Sequence, residues 1–357
     1  MYGGKECSLR ISNAFITGAT GFIGGRLAEK LVNNGTQVTC LVRKQSEIEP
    51  LKKLGCRLIY GDLTDESLQL SGVEKCDALF HVAAMKNAAI PKVIVKTNRN
   101  STKNLFDAIL RSSGMPRVVQ VSSLAACGPS AADQPKVETD TPTPVSFYGK
   151  SKLEAEKTAI TYADRIPVSI IRPPIVFGQG DSAGLEIFKP IYKFNLHLIP
   201  GFKNRQYSMI HVDDLVNALI CVATQAEPIA TTEGDNSNGT GIYFTASEQF
   251  CCADLGQTIG EVLERSRTRC LYVPRPIVWG IAAFNSLLGR AINQPRFFNL
   301  DKYREVFAGN WTCSSDKLFA ETNFDLPVPF EDRLKQTIHW YQENGWLDYH
   351  IQPPAHA

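Results

Sequence analysis

The chain of 357 residues lacks the sequence features of several protein classes. Its ten cysteines include no C-x-x-C pair, and its six histidines form no cluster with metal-ligand spacing. No long run of like charge is present, and the net charge is only +2. Scattered cysteines of this kind are typical of free thiols in a reducing compartment. The composition therefore predicts no metal site and no nucleic-acid partner, because both depend on residue clusters that are missing here.

Targeting and membrane signals are also scarce. Residues 1–13 carry Lys5, Glu6 and Arg10 without an apolar core, which predicts no secretory signal and a cytoplasmic location. One apolar segment, 276–289, is shorter than the roughly 20 residues that a transmembrane helix needs. We expect no transmembrane span there. A buried or pocket-lining helix is favoured over one that lies on a bilayer, and peripheral membrane contact stays open.

A glycine-rich turn is the first feature that indicates a ligand. The segment 17–24 reads TGATGFIG and joins an apolar strand pattern to an amphipathic helix pattern. In such a turn Gly18 allows a tight bend, Gly21 lets the backbone approach a pyrophosphate, and Gly24 permits close helix packing. The helix N-terminus then faces the phosphates. The spacing is GxxGxxG instead of GxGxxG, and in this context it predicts a bound dinucleotide.

Tyr148 and Lys152 form the second feature. They lie four residues apart and therefore on one face of a predicted helix. A phenol has a pKa of about 10 and is a poor acid or base at neutral pH unless a nearby cation stabilises the phenolate. Lys152 is such a cation, so the pair predicts proton exchange beside a nicotinamide. Taken alone the pattern is weak, because many amphipathic helices place tyrosine and lysine at this distance.

Two further apolar strands end in residues suited to a binding site. The strand pattern at 118–121 ends in Ser122 and Ser123, and a hydroxyl there could hydrogen-bond a substrate oxygen. Another strand pattern at 170–172 leads into a Pro/Gly-rich loop at 173–181. Ligands bind at such carboxyl ends in a doubly wound sheet.

With these motifs the chain resembles the extended short-chain dehydrogenase/reductase family, within the NAD-dependent epimerase/dehydratase superfamily. The resemblance runs from about residue 14 to about residue 347. Its ordered blocks are TGATGFIG (17–24), GDL (61–63), HVAA (81–84), NRNSTKN (98–104), VSSLAACG (121–128), YGKSK (148–152), RPPIVFGQGD (172–181) and IHVDDL (210–215). The resemblance and the alternating strand and helix patterns predict an α/β fold. This would be a Rossmann-type doubly wound parallel sheet with a smaller C-terminal substrate-binding domain.

The resemblance implies roles for individual residues. Tyr148 would be the catalytic acid/base, Lys152 would lower its pKa and bind the nicotinamide ribose, and Ser123 would orient the reacting oxygen. The implied cofactor-binding residues are Gly18, Thr20, Gly21, Phe22, Ile23, Gly24, Arg43, Asp62, Leu63, Ala83, Ala84, Asn98, Tyr148, Lys152, Pro174 and Val176. The implied substrate-binding residues are Lys86, Ser123, Phe177 and Arg205.

The end of the second strand pattern bears on the choice of cofactor. That strand ends at Arg43 and Lys44, without the acidic residue that usually binds the adenosine ribose. A carboxylate would repel a 2′-phosphate, whereas an arginine can pair with it. The sequence therefore favours NADP over NAD.

The chain is expected to divide into two parts. Residues 1–176, with 206–235 returning to them, would form the NAD(P)-binding domain. Residues 177–205 and 236–357 would form the substrate-binding domain. The family also implies a homodimer through helices that flank the Tyr148 segment.

The substrate contacts separate the reactions that this family performs. Its epimerases and dehydratases commonly place an asparagine after the strand-end arginine, and dehydratases an acid beside the catalytic serine. Here Pro173 follows Arg172, and Leu124 follows Ser123. The motifs look more like the branch of 3β-hydroxysteroid dehydrogenases and dihydroflavonol reductases. We therefore expect an oxidoreductase that interconverts a ketone and a secondary alcohol on a fairly apolar, sterol-, lipid- or polyketide-like substrate. A nucleotide-sugar epimerase is the alternative, and a non-catalytic cofactor-sensing protein is a less favoured one.

Overall fold

The computed structural model describes residues 11–347, apart from 231–238, 266, 295 and 297. Lys5, Glu6 and Arg10, on which the expectation about a secretory signal depends, lie outside the described residues. In chain order the first half contains β1 (Asn13–Thr17), α1 (Phe22–Asn33), β2 (Gln37–Val42), α2 (Glu49–Lys53), β3 (Arg57–Tyr60), β4 (Ala78–His81), α3 (Pro91–Arg111), β5 (Arg117–Val121), α4 (Leu124–Cys127), α5 (Phe147–Ile160) and β6 (Val168–Arg172).

The second half mixes short strands with helices. It contains β7 (Ile175–Phe177), α6 (Leu185–Phe194), β8 (Leu196–Pro200), β9 (Gln206–His211), α7 (Val212–Thr224), β10 (Ile242–Phe244), β11 (Glu248–Cys251), α8 (Cys252–Val262), β12 (Arg269–Val273), α9 (Arg275–Ala291), α10 (Leu300–Ala308), α11 (Asp316–Glu321) and α12 (Phe330–Glu343).

Seven of these strands form one parallel sheet in the order β10-β6-β5-β4-β1-β2-β3. Strand order reverses between β1 and β4, which is the switch point of a doubly wound fold. The central strands are buried along almost their whole length, as expected where helices cover both faces of a parallel sheet. The predicted Rossmann-type α/β fold is confirmed.

Apolar side chains from α1 and α7 cover one face of this sheet, and those from α3 cover the other. Leu27 and Leu219 belong to the first core layer, and Phe106 and Ile109 belong to the second. Each helix buries one apolar stripe against the strands. The two layers hold the sheet rigid, so its carboxyl edge can position the loops that follow β1, β4, β5 and β6.

The smaller part has its own core around Phe177, Phe188, Phe330 and Tyr341. Two further small sheets have the strand orders β11-β9-β7 and β12-β8. Residues up to His211 form β9, because Met209, Ile210 and His211 pair with β7 before α7 begins.

The edge strand β10 affects the proposed division into two parts. Its residues 242–244 pair with β6 at the edge of the large sheet, although the sequence division assigned them to the substrate-binding part. We therefore propose that 242–244 be grouped with the cofactor-binding part.

Helix α9 contains the apolar segment that invited a membrane interpretation. No helix among the described residues is long and apolar enough to cross a membrane. Within α9 only Val278, Ala282 and Gly289 are buried. One face of α9 is therefore buried and the other is exposed, and the expectation was of a buried or pocket-lining helix.

Candidate active site

The predicted site residues gather at the carboxyl edge of the large sheet. Gly18 and Gly24 follow β1 in a turn whose shape depends on glycine. Gly18 has φ +78°, and a Cβ there would lie 2.7 Å from the Ala83 nitrogen. A Cβ on Gly24 would overlap the Gly18 carbonyl oxygen. This cradle brings the chain after β1 against the chain after β4, as the sequence predicted for a dinucleotide turn.

The start of α1 is open to an anion. Gly21 is its N-cap residue, no side chain caps the first turn, and the first turn holds no acidic residue. The N–H groups and dipole of such an end favour phosphate. Gly180, in the loop after β7, lies against Phe22, since a Cβ there would be 3.9 Å from the phenyl ring. Thr20 and Ile23 belong to the same turn and helix start. The cradle therefore fits the pyrophosphate of a dinucleotide.

A buried histidine that the sequence analysis did not single out holds this cradle. His81 at the end of β4 lies 2.8 Å from the Thr17 hydroxyl through Nδ1 and 3.3 Å from Thr102 through Nε2. Burial first, and then the charge of Lys152, lowers the pKa of His81 to about 3. The ring is therefore neutral and acts as a structural bridge. The Ala83 N–H donates to the same Thr17 hydroxyl at 3.4 Å, and half-buried Ala84 follows it.

Asn98 joins the loop after β4 to α5. Its Oδ1 accepts from the Met85 N–H at 2.7 Å, and its Nδ2 donates to the Met85 carbonyl at 3.0 Å. The same Nδ2 donates to the Ser151 hydroxyl at 2.9 Å. The amide thus has a structural role, and its contact with a cofactor stays a prediction.

The adenosine end is organised around Asp62. Its Oδ1 accepts from the Thr64 N–H and hydroxyl, both at 2.8 Å, and these bonds together with the Arg43 charge lower the pKa of Asp62. The Asn104 amide donates to the Leu63 carbonyl at 2.9 Å, a support that the sequence analysis missed. Arg43 is exposed directly after β2. An exposed guanidinium there is available to an anionic group on the ribose.

Two hydroxyls meet at the centre of the site. Ser123 caps α4 by accepting from the Ala125 N–H at 3.1 Å, and its hydroxyl lies close enough to the phenol of Tyr148 to act on the pKa of that phenol. The neighbouring Ser122 instead donates to Glu156. The structure therefore brings Ser123, and not Ser122, near Tyr148, and the catalytic role of Ser123 stays a prediction. A substrate oxygen bound here would meet two hydroxyl donors.

The charge state of Tyr148 differs from the expectation. Burial, followed by the charge of Glu305, raises the pKa of Tyr148 to about 12, and the Ser123 hydrogen bond offsets only part of this. Lys152 donates to the Val121 carbonyl at 2.6 Å. Burial lowers the pKa of Lys152 to about 8, partly offset by Glu156. The protein's own groups thus raise the pKa of Tyr148, and a lowering of that pKa by Lys152 stays a prediction.

Two carboxylates on α10 hold the start of the catalytic helix. Asp301 accepts from the N–H groups of Phe147, at 2.8 Å, and Tyr148, at 3.2 Å. Glu305 accepts from the Ser146 hydroxyl at 2.6 Å. Carboxylates are favourable at a helix N-terminus because they complement its dipole. The sequence analysis missed both residues, because nothing local connects 301 and 305 with a helix that begins at 147.

A buried ion pair holds the same helix against the sheet. Arg172 at the end of β6 contacts both carboxylate oxygens of Glu156, at 3.0 and 2.7 Å. Both side chains are nearly inaccessible, with 3% and 1% of their surface exposed. Ser122 donates to the same carboxylate. Such bidentate pairs fix geometry as well as charge.

The remaining predicted residues are only partly brought together. Phe177 is 1% exposed and packs against His211 and Phe330, so it belongs to the core, and its substrate contact stays a prediction. Arg205 donates to the Pro200 carbonyl at 3.2 Å and lies over the Phe307 ring, contacts that point to packing between β8 and α10.

Lys86, Pro174 and Val176 are the remaining predicted residues. Lys86 is exposed. Its charge, together with burial, lowers the pKa of Lys152, so Lys86 and Lys152 lie on the same side of the site. Pro174 and Val176 are half-buried on either side of the start of β7.

A cavity of about 210 Å³ lies beside the start of the catalytic helix. Phe147 borders it on one side, and Ser286 and Gly289 of α9 border it on another. The segment 88–92, which leads into α3, closes a third side. The cavity thus separates the catalytic helix from α9.

Comparison with known proteins agrees with this geometry. The sequence model of the NAD dependent epimerase/dehydratase family matches residues 14–233. The chain is 27% identical to ceramide reductase of Caulobacter vibrioides, over 94% of this chain and 96% of that one. It is 26% identical to sterol-4-alpha-carboxylate 3-dehydrogenase, decarboxylating, of Dictyostelium discoideum, over 91% and 100%. A dTDP-glucose 4,6-dehydratase of Streptomyces venezuelae, solved with NAD bound, has the same fold, with a TM-score of 0.71, 19% identity, and coverage of 94% and 99%.

The buried ion pair generates a stability prediction. Glu156→Gln keeps the side-chain shape but leaves the Arg172 charge buried without its partner. We expect the free energy of unfolding to fall by about 3 kcal/mol in urea denaturation. Glu154→Gln is the matched control on the same helix, because Glu154 pairs with Lys157 at the exposed surface. It should cost less than about 1 kcal/mol. Equal, small losses for both variants would contradict the anchoring role of Glu156.

Proposed function

The chain belongs to the NAD-dependent epimerase/dehydratase family, and from that premise we propose that it interconverts a ketone and a secondary alcohol on a fairly apolar substrate. The observation that carries this proposal is the half-buried pair of hydroxyls on Ser123 and Tyr148, with Lys152 one helical turn further on. Two hydroxyls that meet in this way can bind one oxygen atom of a substrate. They can exchange a proton with it and stabilise charge that develops on it.

The protein's fit to a nicotinamide dinucleotide rests on the glycine cradle. Gly18 and Gly24 allow the close backbone approach that shapes the turn, and Gly21 begins α1 at an end that no side chain caps, which suits a pyrophosphate. Asp62 and Leu63 would hold the adenosine end, and Lys152 the nicotinamide ribose. When bound, the cofactor supplies or accepts the hydride at the carbinol carbon.

The protonation of Tyr148 favours ketone reduction. With its pKa raised to about 12, the phenol is protonated across the neutral range and can donate to the carbonyl oxygen. Ser123 would hydrogen-bond the same oxygen and stabilise its developing charge. The charge of Glu305 opposes formation of the phenolate, so in the reverse direction it would disfavour deprotonation of the alcohol.

The case for an apolar substrate rests on what surrounds the site. Pro173 follows Arg172 at the position where epimerases commonly carry an asparagine that contacts the sugar nucleotide. The buried Leu124 beside Ser123 supplies no acid for a dehydration. Two relatives are named for ceramide and sterol substrates, which agrees with this choice. Similarity to the dTDP-glucose dehydratase concerns the fold alone.

NADP is the proposed cofactor. The proposed quaternary state is a homodimer, and the proposed location is the cytoplasm. Support for NADP comes from Arg43, exposed after β2 where an acidic residue would exclude a 2′-phosphate. Support for the dimer comes from Ile90 and Val93, two exposed apolar residues at the start of α3, a helix that packs alongside α5.

Replacement of the proposed acid tests the reaction. Tyr148→Phe removes only the hydroxyl, so we expect reduction of a hydrophobic ketone to slow by about 100-fold or more. The dissociation constant for NADPH, measured by fluorescence titration, should change little. Tyr272→Phe is a control, because Tyr272 lies half exposed in β12. Wild-type turnover in Tyr148→Phe would refute the assigned role.

The cofactor preference has its own test. Arg43→Ala should weaken NADPH binding by about tenfold or more, since a charge-assisted hydrogen bond to phosphate is lost. NADH binding should stay nearly constant. Lys44→Ala, which removes the adjacent exposed charge, controls for the general effect of net charge. An equal loss for NADPH and NADH in Arg43→Ala would show that Arg43 does not read the 2′-phosphate.

A further inference from the structure

The outer face of α9 is unusually apolar for a protein surface. Ile277, Ile281, Phe284 and Leu287 have 55%, 50%, 65% and 65% of their surface exposed, and Trp279 has 53%. The first four project from one side of the helix, because they recur every three or four residues. Single exposed apolar residues are ordinary, but a contiguous row of large ones marks an interaction surface.

The inner face of α9 fixes the direction in which this row points. Val278 and Ala282 are buried there. Asn285 donates to the Phe298 carbonyl at 2.9 Å, and Ser286 accepts from the Leu300 N–H at 2.9 Å. These bonds attach α9 to the start of α10. These tertiary contacts fix the rotation of α9 about its axis, so the apolar row faces outward.

The charges around the row identify its partner. From residue 265 to residue 300 the chain contains no aspartate or glutamate. The same stretch holds six arginines: Arg265, Arg267, Arg269, Arg275, Arg290 and Arg296. Arg275 and Arg290 are exposed at the two ends of α9. An apolar face on a stretch without acidic residues, with an exposed arginine at each end, complements a surface that is apolar inside and negative outside, which is an anionic lipid bilayer.

We propose that α9 docks the protein on an anionic lipid bilayer. At a rise of about 1.5 Å per residue, its 17 residues form a cylinder about 25 Å long that lies flat in the interface. Ile277, Ile281, Phe284 and Leu287 enter the acyl boundary. Arg275 and Arg290 remain at the level of the headgroups, as long basic side chains do in interfaces.

The position of the helix suggests why docking would matter. Ser286 and Gly289 on its inner side border the cavity of about 210 Å³ beside Phe147, the residue before Tyr148. Docking therefore brings that cavity next to the bilayer, from which an apolar ketone can enter. This consequence rests on the proposed function, whereas docking itself does not.

The first test measures vesicle binding by the full-length chain. We expect it to co-sediment with vesicles of equal parts phosphatidylcholine and phosphatidylglycerol, more weakly with phosphatidylcholine alone, and less at high salt. Phe284→Glu combined with Leu287→Glu should lower the vesicle partition coefficient by about tenfold or more. Met115→Glu is the matched control, because Met115 is a 54% exposed apolar residue before β5, away from α9. If the wild-type chain binds the vesicles and the double variant binds them equally well, the proposal is overturned.

A second readout separates docking from folding and from self-association. Phe284→Trp places a tryptophan in the row, and the fluorescence of that tryptophan should shift to the blue when anionic vesicles are added, whereas Met115→Trp should give no such shift. Another outcome is that the wild type is a dimer, the double variant is a monomer, and neither binds vesicles. In that case α9 is a contact between copies of the chain and the proposal is wrong. Reduction of a water-soluble ketone without vesicles should be equal in the wild type and the double variant. If neither the wild type nor the double variant reduces the ketone, the proposed function is overturned, and the result of the vesicle-binding test is unaffected.

Discussion

The buried pair of Glu156 and Arg172 is the constraint on which the site depends. Tyr148, Lys152 and Glu156 are spaced by four residues, so one face of α5 carries the proposed acid, the basic residue and the anchor together. Arg172 lies at the end of β6, and Ser122 at the end of β5 adds its own bond to the same carboxylate. The pair therefore fixes both the rotation and the height of the helix relative to the sheet edge. A one-residue shift of α5 would separate Tyr148 from Ser123.

The other end of the catalytic helix is held by the smaller part of the protein. Asp301 and Glu305 on α10 bind the first turn of α5, and the charge of Glu305 acts on the Tyr148 phenol. Helix α10 is in turn attached to the inner face of α9. The reacting hydroxyls are thus positioned from two sides, by the sheet and by the α9–α10 pair. This arrangement couples the acidity of Tyr148 to the placement of the C-terminal helices.

Local patterns predicted much of the cofactor domain, because its signals lie within single strand-turn-helix units. The turn from Gly18 to Gly24 and the Tyr148-to-Lys152 spacing are examples, and both occupy the expected places. The sequence did not predict features that depend on contacts between residues far apart along the chain. Phe177 is core because β7 packs on α12, and the pKa of Tyr148 rises because Glu305 approaches from far along the chain. No periodicity near residue 177 or 148 carries that information.

Direct observation of hydride transfer is the most decisive measurement for this account. The protein would be incubated with NADPH deuterated at C4 and an excess of a hydrophobic ketone, and both products would be analysed by mass spectrometry. The account predicts an alcohol that carries one deuterium, with NADP⁺ released into solution in equal amount. A cofactor that stays bound and is not consumed, while a nucleotide sugar is epimerised, would contradict the assignment and favour a self-recycling epimerase.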